Sequence, residues 1–275
     1  MVDAAWKAGI RFFDTAPLYG HGLAERRLGA VLSSKPRDEF VLATKVGRLL
    51  RADAPPEPGQ AYKGVPPVNP VFDFSYDGVM RSVDESLGRL GFDRIDILHI
   101  HDPDDHFEEA LTGAFRALDR LRADGSIRAV GAGMNQWEML VRFAREADFD
   151  CFLLAGRYTL LDRSGATELL PLCAERRIAI IAGGVFNSGI LANPRPGATF
   201  NYTTAPPDLV RRAEELKAAC DRAGVDLKAA AIQFPLRNPT VATVLTGCRS
   251  VAEVEENVRA FGANVPDELW RALDA

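Results

Sequence analysis

Three apolar runs each end in an ionisable residue: Ile10-Arg11-Phe12-Phe13 in Asp14, Val41-Leu42-Ala43-Thr44 in Lys45, and Ile97-Leu98-His99-Ile100 in His101. A tyrosine, Tyr19, follows the first run within Pro17-Leu18-Tyr19-Gly20-His21-Gly22, where two glycines permit tight backbone turns. Ionisable groups at the ends of buried strands are costly unless they satisfy one another, so a common rim for all four is the economical arrangement. A phenol with an ordinary pKa of about 10 is a poor base near neutrality, but an adjacent ammonium favours its phenolate. Lys45 beside Tyr19 therefore makes a proton-transfer group. Asp14 would keep Lys45 charged and in place, and His101 would donate a hydrogen bond to a substrate oxygen. Any one of these residues alone could be a helix cap or a surface ion pair. Four together on one rim point to a site.

The elements that must position them are legible as an alternation. Short apolar runs occur at Ile10-Asp14, Phe40-Lys45, Ile95-His101, Ile127-Ala132, Cys151-Ala155, Ile178-Ala182 and Val241-Thr246. Between them lie segments with apolar residues at helical spacing, such as Val79, Val83, Leu87 and Leu90. Strand and helix in turn imply parallel βαβ units with right-handed crossovers. Seven strands follow an initial helix, Val2-Ala8, that Gly9 ends, so the expectation is an α/β fold, a (β/α)8 TIM-type barrel whose first strand is missing from this chain. Two stretches break the rhythm. Residues 48–77 contain six prolines, and residues 193–207 contain four prolines and Gly197. Both follow strands and emerge at the C-terminal face, the first placed to act as a lid.

Bulk properties narrow the partners. The 275 residues, 47% hydrophobic and 26% charged, fit one globular domain spanning 1–275, and a net charge of -5 without a basic cluster argues against nucleic acid. Cys151, Cys173, Cys220 and Cys248 lie far apart with no metal-ligand spacing, and read as reduced thiols. No run approaches the roughly 18 apolar residues of a membrane helix, and no signal-peptide pattern opens the chain. The expectation is a cytoplasmic protein, a monomer or small homo-oligomer, with a small-molecule substrate and no membrane partner.

The segment Gly9-Ile10-Arg11-Phe12-Phe13-Asp14-Thr15-Ala16-Pro17-Leu18-Tyr19-Gly20-His21-Gly22, with Glu25 and Leu28-Gly29, resembles the opening motif of the aldo-keto reductases. Ala43-Thr44-Lys45-Val46 is similar to that family's lysine strand, Ile97 to Pro103 to its histidine strand, and Gly125 to Gly131 to its next strand. The resemblance runs from Val2 to about Phe261. It implies a hydride-transferring barrel enzyme with a nicotinamide cofactor, in which Tyr19 is general acid and base, Lys45 lowers its pKa, Asp14 pairs with Lys45, and His101 orients the carbonyl. It also implies cofactor contacts from Asn135 and from the segment that includes Phe186, Asn187, Gly189 and Leu191. The last loop, Gly247-Cys248-Arg249-Ser250 leading to Glu253, Glu256 and Asn257, resembles the grip on the adenosine ribose and its phosphate. Ala155 and Gly183 stand where the family usually carries a glutamine and a stacking tyrosine. Glu253 as a repeller of a 2′-phosphate predicts NAD, while Arg249 keeps NADP possible.

Within the family, His101 to Asp105 and Ala155 to Leu161 resemble the bacterial aldose dehydrogenases, which implies oxidation of an aldose at C1 to its lactone. Pyridoxal or general aldehyde and ketone chemistry is the alternative. Two readings of other classes are weighed as well. His99-Ile100-His101 is an H-x-H on one strand face, the pattern of a metal-dependent hydrolase, but the chain's other histidines, His21 and His106, do not fall on later strands. A non-catalytic nicotinamide-binding regulatory module is the remaining reading.

Overall fold

The computed structural model describes residues 1–56 and 62–274. Its centre is a seven-stranded, wholly parallel sheet: β1 (Phe12–Asp14), β2 (Val41–Val46), β5 (Ile97–His101), β6 (Ala129–Met134), β7 (Cys151–Ala155), β8 (Ala179–Gly183) and β11 (Val241–Val244) lie side by side in that order. Two small antiparallel hairpins stand apart from it: β3 (Arg48–Arg51) pairs with β4 (Asn69–Phe72), and β9 (Thr199–Phe200) with β10 (Thr203–Thr204). Among the described residues, eleven α-helices wrap the outside of the sheet: α1 (Val2–Lys7), α2 (Leu23–Leu32), α3 (Tyr76–Leu90), α4 (Phe107–Glu109), α5 (Arg116–Ala123), α6 (Trp137–Glu146), α7 (Leu169–Arg176), α8 (Pro207–Arg222), α9 (Leu227–Gln233), α10 (Val251–Phe261) and α11 (Asp267–Asp274). None of the described helices is long and apolar enough to cross a membrane.

The two-residue period of a strand divides its side chains between two cores. Leu42, Leu98, Ile100, Val130, Phe152, Leu154 and Ile180 point outward, fully buried beneath helix residues such as Leu32, Val79, Leu118, Leu140 and Phe143. Cys151, Leu153 and Ile181 point inward and pack with Phe12, Ile97 and Leu245 in a smaller cluster. That is the layered filling of a parallel barrel. Helix α3 shows why the sequence turns where it does. Ser75 caps its start by accepting from the Gly78 N–H at 3.1 Å, and Gly91, with φ at 71°, ends it in the left-handed conformation that glycine favours.

The seven expected strands are all present, with ends displaced by no more than about two residues. Strand β1 begins at Phe12 rather than Ile10, because the Ile10 N–H is spent on the Ala5 carbonyl in the turn that leaves α1. The sheet stays open between β1 and β11, and the cleft there, about 570 Å³, is lined by α1, both edge strands and α10. The proline-rich stretch 48–77, read as a loop, contains the β3–β4 hairpin and the start of α3. The second, 193–207, contains the β9–β10 hairpin, turned by Asn201 and Tyr202, both at positive φ.

Candidate active site

The strand ends bring the four expected residues together at the C-terminal face. Inward-pointing Lys45 is 1% exposed, and its Nζ donates to Asp14 Oδ2 at 2.5 Å and to the Thr15 carbonyl at 2.9 Å. The same ammonium lies 4.8 Å from the centre of the Tyr19 ring. His101 stands edge-on to Tyr19, with ring centres 5.8 Å apart. Room for these side chains comes from the neighbouring strand: a Cβ on Gly131 would lie 2.2 Å from His99 Nδ1, and Gly133 faces the Lys45 stem. Behind the sheet, Thr44 donates to Glu25 at 2.7 Å and Arg89 donates to the same carboxylate at 2.6 Å, tying β2 to α2 and α3.

Burial and neighbours set the charges. Burial pulls the Lys45 ammonium toward neutrality, but Asp14 and Tyr19 outweigh it and hold its pKa above the usual lysine value. His101 is driven well below the usual histidine value by burial and then by Lys45, Arg48 and His99, so its imidazole is neutral. His99 behind it is lowered to about 3 by burial and Lys45. For Tyr19 the structure corrects the sequence-based expectation in part. Lys45 pulls the phenol down as expected, but burial is the larger effect, Asp14 and Asp102 add to it, and the net shift is upward. Tyr19 is thus a protonated acid held beside the ammonium that eases its ionisation.

The cofactor-site candidates divide into those that face the cleft and those that hold the loops. Asn135, beyond the end of β6, donates its amide to the Ala155 carbonyl at 2.8 Å, leaving its oxygen to accept from a carboxamide. Asn187 is buried, accepts from Thr159 at 2.6 Å and donates to the Gly156 carbonyl at 3.2 Å, so it braces the turn after β8. Gly189, with φ at 104°, continues that turn. Leu191 is fully buried in the outer core, which leaves only its backbone for a ligand. Phe186 is half-buried with Lys228 Nζ 5.7 Å above its ring, and Lys228 in turn pairs with Glu256 at 2.7 Å.

At the start of α10, Ser250 accepts from the Glu253 N–H at 3.1 Å, and Glu253 accepts from the Arg249 N–H at 2.7 Å, a reciprocal cap. The Arg249 guanidinium reaches the same carboxylate at 3.3 Å. The two residues that argued for opposite cofactors are therefore bonded to each other. Gly247 lies exposed before them, and Asn257 is buried one turn further on, donating to Cys248 Sγ at 3.3 Å.

A nicotinamide cofactor fits these groups. Asp14 Oδ1 and Thr15 Oγ1 are buried without a hydrogen-bond partner at the rim, and buried polar atoms of that kind call for a ligand's hydroxyls. Among the described residues no three His, Cys, Asp or Glu side chains are placed to hold a metal ion, so His99 and His101 lack the further ligands a hydrolase centre needs. The sequence-based reading did not single out Arg48, Asp102, Thr15 or Lys228. Arg48 was hidden in the proline-rich stretch and Lys228 in an amphipathic pattern; only Asp102, beside His101, carried a signal.

Known proteins resemble the chain over nearly its whole length. The model of the aldo/keto reductase family matches residues 1–275. The chain is 45% identical to pyridoxal 4-dehydrogenase of Microbacterium luteolum, over 99% of this chain and 86% of that protein. It is 44% identical to D-threo-aldose 1-dehydrogenase of a Pseudomonas species, over 99% of this chain and 85% of that one. Among solved structures, the holo form of an aldo-keto reductase from Bacillus halodurans superposes with a TM-score of 0.76 at 26% identity, covering 99% of this chain and 84% of that one. The glycerol dehydrogenase of Gluconobacter oxydans gives 0.75 at 26% identity, over 99% and 82%. The chain is an NAD(P)-dependent oxidoreductase of (β/α)-barrel type, and it belongs to the aldo/keto reductase family.

Proposed function

We propose that the protein oxidises an aldose at C1 to its lactone, with Tyr19 as the proton carrier and NAD as the hydride acceptor. The observation that carries this is the buried Lys45–Asp14 pair at 2.5 Å, with the Lys45 ammonium 4.8 Å from the centre of the Tyr19 ring and a neutral His101 edge-on to that ring. The named activity of the Pseudomonas relative supports the substrate class. In this reading the C1 hydroxyl of the cyclic sugar sits between Tyr19 and His101. Tyr19 reacts as the phenolate, its own proton first lost to solvent at the cost that burial imposes and Lys45 reduces; the phenolate takes the hydroxyl proton, and His101 donates a hydrogen bond that fixes the oxygen. The hydride leaving C1 would go to the nicotinamide, the chemistry that a bound cofactor would supply here. Lys45 shares its charge between Asp14 and the phenolate, so ionisation costs little reorganisation.

Asn135, Gly189, Phe186 and the backbone at Leu191 would hold the cofactor, with Gly247, Arg249, Glu253, Glu256 and Asn257 at its adenosine end. NAD is favoured because a carboxylate at Glu253 repels a 2′-phosphate. Oxidation of pyridoxal is the second reading, supported by the Microbacterium relative's named activity. The test is a spectrophotometric screen of aldoses, pyridoxal and simple aldehydes against each oxidised and reduced nicotinamide cofactor. Reduction of NAD by an aldose at higher kcat/KM than by pyridoxal is expected. A reversed order would install the pyridoxal reading, and tight cofactor binding without turnover of any substrate would leave only a regulatory module.

A further inference from the structure

We propose that Asp102 and Arg48 form a clamp for the hydroxyl group carried on the carbon next to the reacting carbon of the substrate. Asp102 directly follows His101 at the end of β5. Its N–H donates to the Gly133 carbonyl at 3.1 Å, and its φ of 41° places a non-glycine residue in the left-handed region. Such backbone costs free energy and is kept where surroundings impose it, commonly at functional sites. The turn points the carboxylate back over the rim. One oxygen, Oδ2, lies 3.4 Å from His101 Nε2 and 3.2 Å from the Arg48 guanidinium. Arg48 opens the β3–β4 hairpin and is packed over the Phe72 ring at 4.7 Å. The Arg48 and Asp102 side chains are 11% and 29% exposed, so the pair is largely sheltered, with the carboxylate the more open of the two.

This assignment rests on the proposed reaction, in which the substrate oxygen is held between Tyr19 and His101. A group on the adjacent carbon then falls beside His101, where Asp102 and Arg48 stand. A hydroxyl suits that pair: its O–H donates to the carboxylate and its oxygen accepts from the guanidinium, both charge-assisted contacts. The substrate named for the Pseudomonas relative has this feature: an aldose carries a hydroxyl at C2 beside C1, whereas the ring hydroxyl of pyridoxal stands one carbon further from its formyl carbon. The plainer role, an ion pair that only ties the hairpin to β5, would not distinguish substrates with and without that hydroxyl.

The experiment compares kcat/KM within two substrate pairs, an aldose against its 2-deoxy counterpart in oxidation and 2-hydroxypropanal against propanal in reduction. The wild type should prefer the hydroxylated member by about 10- to 100-fold, since a site built to bind a hydroxyl discriminates against its absence. Asp102→Asn and Arg48→Met should each bring that ratio to within about threefold, the loss falling on the hydroxylated member, and Arg48→Lys should restore part of it. NMR titration of 1,5-anhydroglucitol and its 2-deoxy analogue, neither oxidisable at C1, applies the same comparison without turnover. Ratios that stay the same in the variants, or a wild type that does not discriminate in either turnover or binding, overturn the clamp. If no aldose is oxidised while the aldehyde or binding ratio responds as described, the sugar reading fails and the clamp stands.

Discussion

At the strand ends, the Lys45 and Asp14 side chains are 2% and 3% exposed and bond at 2.5 Å; at the start of α10, the Arg249 and Glu253 side chains are 92% and 32% exposed and bond at 3.3 Å. The buried pair has no water to fall back on, so each partner is indispensable to the other. The exposed pair is screened by solvent, is worth little by itself, and can be remade around a ligand. Within one molecule, the charge proposed to do chemistry is locked in place, whereas the charge proposed to select a cofactor is left adjustable.

Four perturbations break or sharpen that contrast. The largest effect should come from Tyr19→Phe, which keeps the ring and deletes the transferable proton. General acid-base catalysis contributes about 10²- to 10⁴-fold, so turnover should fall by at least the lower figure while cofactor affinity, read by fluorescence titration, barely moves. A variant within threefold of wild-type turnover would remove Tyr19 from the reaction.

Lys45→Met comes next, because it leaves the Asp14 carboxylate buried without its partner. The expected destabilisation is about 3 to 5 kcal/mol by chemical denaturation. The same change removes the cation that draws the phenol down, so the apparent pKa of the oxidation profile should rise. Each unit of rise corresponds to about 1.4 kcal/mol of lost preference for the phenolate. A profile that overlays the wild type after scaling would show that Lys45 does not act on Tyr19.

His99 supplies a smaller and pH-dependent effect. Its imidazole is buried without a partner on either nitrogen and titrates at about 3, against about 6.5 in an unfolded chain. Between those values the unfolded state binds the additional proton, so this side chain makes stability fall as the pH drops from about 6.5 toward 3. The slope is up to about 1.4 kcal/mol per pH unit. His99→Leu should flatten the measured acid dependence by that one proton; an unchanged slope would mean that His99 is not held neutral.

The smallest structural disturbance is expected at the exposed end. Glu253→Arg loses the acceptor that caps the Arg249 N–H, with a minor change in Tm, yet it should move the ratio of catalytic efficiencies toward NADP by about 10- to 100-fold. If the wild type already prefers NADP, or the ratio does not move, Glu253 does not face the ribose.

What the sequence alone determined is local. The apolar runs ending in Asp14, Lys45 and His101 named the strands and the shared rim on which those residues meet, because a strand's two-residue period and its buried neighbours leave few places for an ionisable group. The alternation of strand and helix then fixed the fold class. Residues 48–77 and 193–207 were opaque. The β3–β4 hairpin pairs residues across prolines, and the β9–β10 turn at Asn201-Tyr202 carries none of the glycine that usually marks one. Only the tertiary structure set Asp102 against Arg48, brought from 54 positions away. It alone turned Glu253 onto Arg249, and it showed that burial outweighs Lys45 in setting the state of Tyr19. Desolvation and long-range pairing depend on what surrounds a group in space, and neighbours in sequence do not specify that.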